Sequence, residues 1–307
     1  MPYLILAEVH MLKRINYRIL ALFIFVVLCW GLAWPVNKIG LQYMSPLWYT
    51  ASRLLIGTFA MLGIVIATRK FVWPSKQDIP LILVIGVLQI SIYILLTNVG
   101  LAYLPAGRSS LLAYTTPLWV MPIGILFFNE RPGPLKWIGF ILGVVGLVLL
   151  INPWELNWSD TGIIIGTSAL LLASLIWVIS MFLVRYLPWH KSPLQLIPWQ
   201  LLVGAIPILL YAGIKEPIFA VTWNTSLIVS LIYTGVMVTG VSYWIAVIIN
   251  KELPTIVLSL GFLIVPIFSF LVSAIFLGEK IPMITGVAIA LVLLGLACVV
   301  AEREKPA

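Results

Sequence analysis

A chain of 307 residues that is 62% hydrophobic and only 9% charged cannot cover a water-soluble globule with polar surface, so composition excludes a soluble protein. A formal charge of +8 would point to nucleic acid in a soluble chain, but here the basic residues stand between apolar runs and report topology. Cys29 and Cys298 lie in separate runs without ligand spacing, so no disulfide framework, metal site or cofactor is expected, and no G-x-x-x-x-G-K-[ST] loop signals ATP hydrolysis.

In chain order the apolar runs cover 19–36, 46–67, 79–98, 105–128, 134–151, 161–184, 193–213, 224–248, 254–277 and 281–300. Each approaches the roughly 20 residues that a helix needs to cross a bilayer core. Alternating strands of barrel type are absent from the pattern, so the expected fold is all-α with ten transmembrane helices. The first run is too long for a signal-peptide core and has no small-residue cleavage pattern. Met11-Leu-Lys-Arg has the character of a basic N-terminus, which makes Met11 an alternative to Met1 as the point of initiation.

The chain repeats itself. A shift of 149 positions carries Pro105 to Pro254, Ser110 to Ser259, Pro117 to Pro266, Glu130 to Glu279, Arg131 to Lys280 and Gly146 to Gly295. A shift of 147 carries Trp30 to Trp177, Lys38 to Arg185, Ser45-Pro46 to Ser192-Pro193 and Gly57 to Gly204. Residues 19–151 and 161–300 are therefore read as two five-helix repeats, flanked by an N-terminal segment 1–18 and a tail 301–307. Five is odd, so the second copy enters the membrane inverted, a construction that lets two near-equal halves expose one midplane site to either side. Lys13, Arg14, Arg18, Arg69, Lys70, Lys76, Arg131, Lys136, Arg185, Lys191, Lys251, Arg303 and Lys305 all fall on one side, and only Lys38, Lys215 and Lys280 on the other. That asymmetry predicts both termini in the cytoplasm.

The endings FFNERPGP and FLGEKIP each follow a proline-containing segment and precede a glycine-rich one. With CWGLAWPVNKIG, SPLWYTASRLLIG, TTPLWVMPIGILFFNERP and VPIFSFLVSAIFLGEK, they resemble the EamA-type ten-helix members of the drug/metabolite transporter superfamily, over essentially the whole chain. The resemblance implies a central cavity, a bacterial-type inner (plasma) membrane and gradient-driven export of small organic solutes. It leaves the solute open among amino acids, other metabolites and toxic compounds.

All ten Asp and Glu residues stand in connections, tails or segment ends, and His10 and His190 lie outside the segments. With no titrating group at membrane depth, the expectation is facilitated movement or exchange along the solute's own gradient. Glu130 and Glu279 are each expected to end a helix and pair with the basic neighbour across the turn, a proton relay being the alternative. Two arginines do enter the segments, Arg53 in the second and Arg108 in the first turn of the fourth. Neither has a carboxylate partner in a span, so each is a candidate to hold an anionic group of the solute. Trp34, Tyr93, Asn98, Tyr114, Trp119, Trp177, Gln200, Tyr243 and Trp244 complete the candidate set, as amides, phenols and flat walls for a solute with an apolar or aromatic body. Pro117 and Pro266 are predicted to bend the fourth and ninth helices and let one half swing as a gate. Gly139, Gly143 and Gly146 suit close approach to a helix of the same bundle or of a homodimer partner.

The function expected from these residues is a secondary transporter of small organic solutes, amino acids and related carboxylated metabolites foremost. Efflux of hydrophobic cationic or neutral toxic compounds is the alternative, and a non-transporting structural membrane partner is a reading of another class. Membrane enzymology has no nucleophile-base set or ligand cluster to support it.

Overall fold

The computed structural model describes residues 17–128, 132–151, 154, 159–217, 221–252, 264–279 and 283–301, and among these it contains helices and no strands. α1 is Tyr17–Gly40, α2 Pro46–Ala67 and α3 Lys76–Tyr103. α4 comes in two pieces, Ala106–Ala113 and Thr116–Phe128, and α5 is Pro134–Ile151. The second half begins with α6, Thr161–Tyr186, and α7, Pro193–Lys215. α8 runs through Thr225–Ile232, Tyr233–Ser242 and Tyr243–Glu252, α9 is Ile264–Leu277 and α10 Met283–Ala301. α1, α2, α3, α6, α7 and α8 each contain a stretch long and apolar enough to cross a membrane.

Helix starts follow local chemistry. Ser45 and Ser192 precede Pro46 and Pro193, so each helix opens on a hydroxyl cap and on a proline whose missing N–H is not needed there. The Ser45 hydroxyl accepts from Trp48 N, while Gln195 reaches back to Ser192 N at 3.0 Å. Asp160 and Asn224 cap α6 and α8 through Gly162 N and Leu227 N.

The repeat is visible in the packing. α3 lies on α6 and α8 on α1; α4 on α6 and α9 on α1; α2 on α8 and α7 on α3; while α2 meets α7, α4 meets α9 and α5 meets α10. Advancing both members of any pair by five helices gives another pair, as an internal two-fold requires. Leu126 and Phe127 of α4 and their repeat equivalents Ile275 and Phe276 of α9 are all 75–77% exposed, as side chains facing lipid would be.

Two features position the site. α3 and α8 each contain a π-helical stretch, Val84–Ile92 and Tyr233–Ser242, whose first residues are 149 positions apart. A wider turn of this kind is rare and concentrates at functional sites. Glycines let backbones meet there: a Cβ on Gly57 of α2 would stand 2.9 Å from Gly235 O of α8, and one on Gly204 of α7 would stand 2.5 Å from Gly86 O of α3. These contacts are repeat equivalents.

The second feature is α4. It breaks at Tyr114 and Thr115, immediately before Pro117, which lacks the N–H that would have bonded Ala113 O. Pro266 is buried in the first turn of described α9; the residues before Ile264, where its bend was expected, lie outside the described residues, as do Glu130 and Arg131. The glycine-rich face of α5 is filled from within the chain. A Cβ on Gly295 of α10 would stand 2.5 Å from Gly139 O, and one on Gly146 would stand 2.9 Å from Ala288 O.

Candidate solute site

Arg53 is the eighth residue of α2, about 10 Å along its axis at 1.5 Å per residue, and is 6% exposed. A guanidinium at that depth needs acceptors or a counter-charge. Its Nε donates to Thr239 Oγ1 at 2.6 Å and its Nη1 to Asn37 Oδ1 at 3.4 Å. Thr239 stands in the π stretch of α8, and its own hydroxyl donates to Thr234 O at 2.8 Å, so the wide turn both presents the acceptor and fixes it. Asn37 Oδ1 also accepts from the Tyr49 hydroxyl at 3.1 Å, which lies 3.2 Å from Thr234 Oγ1. Neutral oxygens from two other helices, α1 and α8, thus hold the base of the fork. No carboxylate among the described residues pairs with the charge.

Around this charge the structure gathers part of the predicted set. The hydroxyls of Tyr49, Tyr93 and Tyr233 lie within reach of the Arg53 field. The ring of Tyr93 lies 4.8 Å from that of Trp177, joining α3 to α6. Tyr243 donates to Gln89 Oε1 at 3.2 Å, and Asn98 donates to Thr50 Oγ1 at 2.9 Å while its own Oδ1 has no partner among the described residues. Tyr114, at the break in α4, packs against two apolar clusters, one containing Trp34 and the other bordered by Trp244. Trp244 and Tyr243 also border the cluster that holds Leu54 and Leu201.

Other predicted residues sit differently. Trp34 is buried in a cluster with Leu111 and Phe270, and Trp119 is half-buried with its indole N–H on Ser174 Oγ at 2.6 Å. Arg108 is half-buried and already engaged, which leaves Arg53 as the candidate anion partner. Gln200, the repeat equivalent of Arg53, is 1% exposed, with neither amide atom bonded among the described residues. Where Arg53 faces Thr239, the equivalent residue of α3 is Ile90, which offers no acceptor.

Lys280, the basic neighbour expected to pair with Glu279, lies outside the described residues, while Glu279 itself stands just past the end of α9. Its Oε1 and Oε2 accept the backbone N–H groups of Ala106 and Gly107, at 2.6 and 2.9 Å, on a different helix. Asn37, Tyr49, Thr234 and Thr239 were not singled out from the sequence. Asn37 falls one residue beyond the predicted end of the first run, and threonines within apolar segments ordinarily bond their own helix. The signal that could have found them is Arg53 itself, since a buried guanidinium demands oxygens nearby.

Helices too apolar for water, paired by an internal two-fold around a tethered cation and aromatic rings, define a multi-pass membrane transporter. The comparisons give the family. The chain matches the EamA-like transporter family over residues 18–152 and again over 164–301, and belongs to it. Its relatives include the transporter YoaV of Bacillus subtilis, 25% identical over 83% of this chain and 87% of that one. They also include a protein of Salmonella typhimurium named as a probable amino-acid metabolite efflux pump, 26% identical over 86% and 88%. A solved crystal structure shares the fold at 20% identity, with a TM-score of 0.62 over 92% of this chain and 96% of the other. The family and these relatives are transporters, not enzymes.

Proposed function

We propose that this chain exports or exchanges small organic solutes bearing a carboxylate, amino acids and related metabolites foremost, by alternating access between its two repeats in a bacterial-type inner membrane. The observation that carries the reading is Arg53, buried, held through two nitrogens by neutral oxygens, with no carboxylate partner among the described residues. Such a charge is stabilised when an anion arrives, and a carboxylate fits the guanidinium fork. Tyr93 and Trp177 supply a flat wall beside it for an apolar or aromatic body. The name of the Salmonella relative supports the same solute class. A hydrophobic cation fits less well, because no Asp or Glu of the chain stands within an apolar run.

The test is counterflow in proteoliposomes loaded with unlabelled amino acids, organic acids or aromatic cations. Wild type should accumulate labelled carboxylated solute. Arg53→Gln should lose at least about tenfold of that rate, the size expected for one charged hydrogen-bonding partner, and Arg53→Lys should recover part of it. Accumulation of cations alone, unchanged in Arg53→Gln, would overturn the proposal.

A further inference from the structure

The turn between α3 and α4 is held at both of its ends by side chains from other helices. On the α3 side, Lys38 from the last turn of α1 donates to Leu101 O at 2.7 Å, Leu104 O at 2.9 Å and Ala102 O at 3.4 Å. These are carbonyls that the end of α3 leaves open, and a cation there is favoured by the helix dipole. On the α4 side, the Glu279 carboxylate takes the N–H groups of Ala106 and Gly107, where the dipole favours an anion. Lys38 and Glu279 also lie within electrostatic reach of each other. A cation and a carboxylate therefore clamp Leu104-Pro105 from its two sides, and neither belongs to α3 or α4.

The backbone aims the carboxylate. Gly278 adopts a φ of +65°, the left-handed region that an L side chain resists, directly after α9 ends. The sequence repeats the device. The shifts of 149 and 147 positions put Glu130 where Glu279 is, Arg185 where Lys38 is and Leu253-Pro254 where Leu104-Pro105 is, while Asn129, a residue type that also tolerates positive φ, replaces Gly278. Charge distribution assigns the α3–α4 turn to the outside and its repeat to the cytoplasm.

We infer that Glu279 and Lys38 form the latch that holds the outer end of the solute pathway closed, and that releasing it is the step that opens this transporter to the outside. The inference rests on the alternating-access reading of the preceding section. Releasing the latch exposes a carboxylate, an ammonium and two helix ends to water, which hydrates all four. The closed and open states can then stay close in free energy, as a carrier that cycles without ATP requires.

The experiment reads access directly. In a chain with Cys29→Ser and Cys298→Ser, Tyr93→Cys is labelled by a membrane-impermeant maleimide, in right-side-out spheroplasts and in inverted vesicles. Adding Glu279→Ala should raise labelling from the outside by about tenfold or more and lower it from the cytoplasmic side, with Glu279→Gln between Glu279→Ala and the parent. Lys38→Met should act in the same direction. Unchanged labelling on both sides in all three variants would overturn the latch. Should these variants fail to fold, Ala106→Cys with Glu279→Cys decides: crosslinking should stop counterflow and dithiothreitol restore it, whereas a crosslinked protein that transports as fast as the reduced one sinks the idea. Labelling needs no solute, so a wrong solute class in counterflow remains distinguishable from a wrong latch.

Discussion

Arg53 shows how a single buried charge organises its surroundings. Its guanidinium recruits an amide from α1 and a hydroxyl from α8, so three helices meet at one side chain. Asn37→Leu should therefore lower stability by about 1–3 kcal/mol, because it removes an acceptor shared by Arg53 and Tyr49 and strands buried donors. Thr239→Val should do the same through Nε. Fluorescence-monitored thermal unfolding in detergent checks both, and unchanged midpoints would mean that water replaces the lost acceptors. The sequence made Arg53 visible because a guanidinium inside an apolar run is anomalous by itself. Its partners were hidden because Thr239 and Thr234 lie almost two hundred positions away on another segment, and one threonine in a span looks like any other. Asp78 was hidden for a related reason. It reads as a loop carboxylate, yet its side chain is fully buried and accepts from Lys191 Nζ at 2.6 Å, tying the starts of α3 and α7.

At the scale of elements, the period and length of the apolar runs announced the helices, and the Ser-Pro pairs marked where two of them start. The π stretches of α3 and α8 were not announced, because a wide turn has no composition of its own. What betrays them is a pair of equivalent glycines, Gly86 and Gly235, each facing the backbone of a neighbouring helix. Gly235→Ala would drive a methyl within 2.9 Å of Arg53 O and should destabilise by about 1–3 kcal/mol while disturbing Thr239, with a loss of transport as well as of stability. Gly63→Ala and Gly286→Ala, which meet nothing within 4 Å, should be neutral or slightly stabilising. Equal thermal midpoints for the three variants would show that the α2–α8 contact gives way more readily than its geometry indicates. The break in α4 belongs to the same scale. Pro117 predicted a bend, and the described chain places the interruption at Tyr114–Thr115, Tyr114 itself packing against the clusters that involve Trp34 and Trp244.

For the whole molecule, duplication was legible because the marks of each repeat survive at fixed spacing, and the family match falls on two tandem stretches. Two repeats of five make ten crossings, an even number, which is the basis for expecting both ends of the chain on one side of the membrane. Epitope tags at residue 1 and after residue 307 should both resist protease in spheroplasts and both be cleaved in inverted vesicles; cleavage of either from the outside would refute the orientation drawn from the basic residues. Less legible was how far the two halves differ in chemistry. An alignment pairs Arg53 with Gln200 and stops there, whereas the structure shows one half with a network of oxygens around a cation and the other with a buried amide that no group among the described residues bonds.

That inequality between the halves has a kinetic meaning. A perfectly symmetrical carrier would show the same half-saturation concentration from either face. With the cation in one repeat only, a carboxylated solute meets different partners first from outside and from inside, and its half-saturation concentrations on the two faces should differ. For a zwitterionic solute that carries no net charge, microscopic reversibility then requires the maximal velocities of net influx and net efflux to differ by the same factor. The protein would move solute faster in one direction at saturation while remaining unable to concentrate it without a gradient.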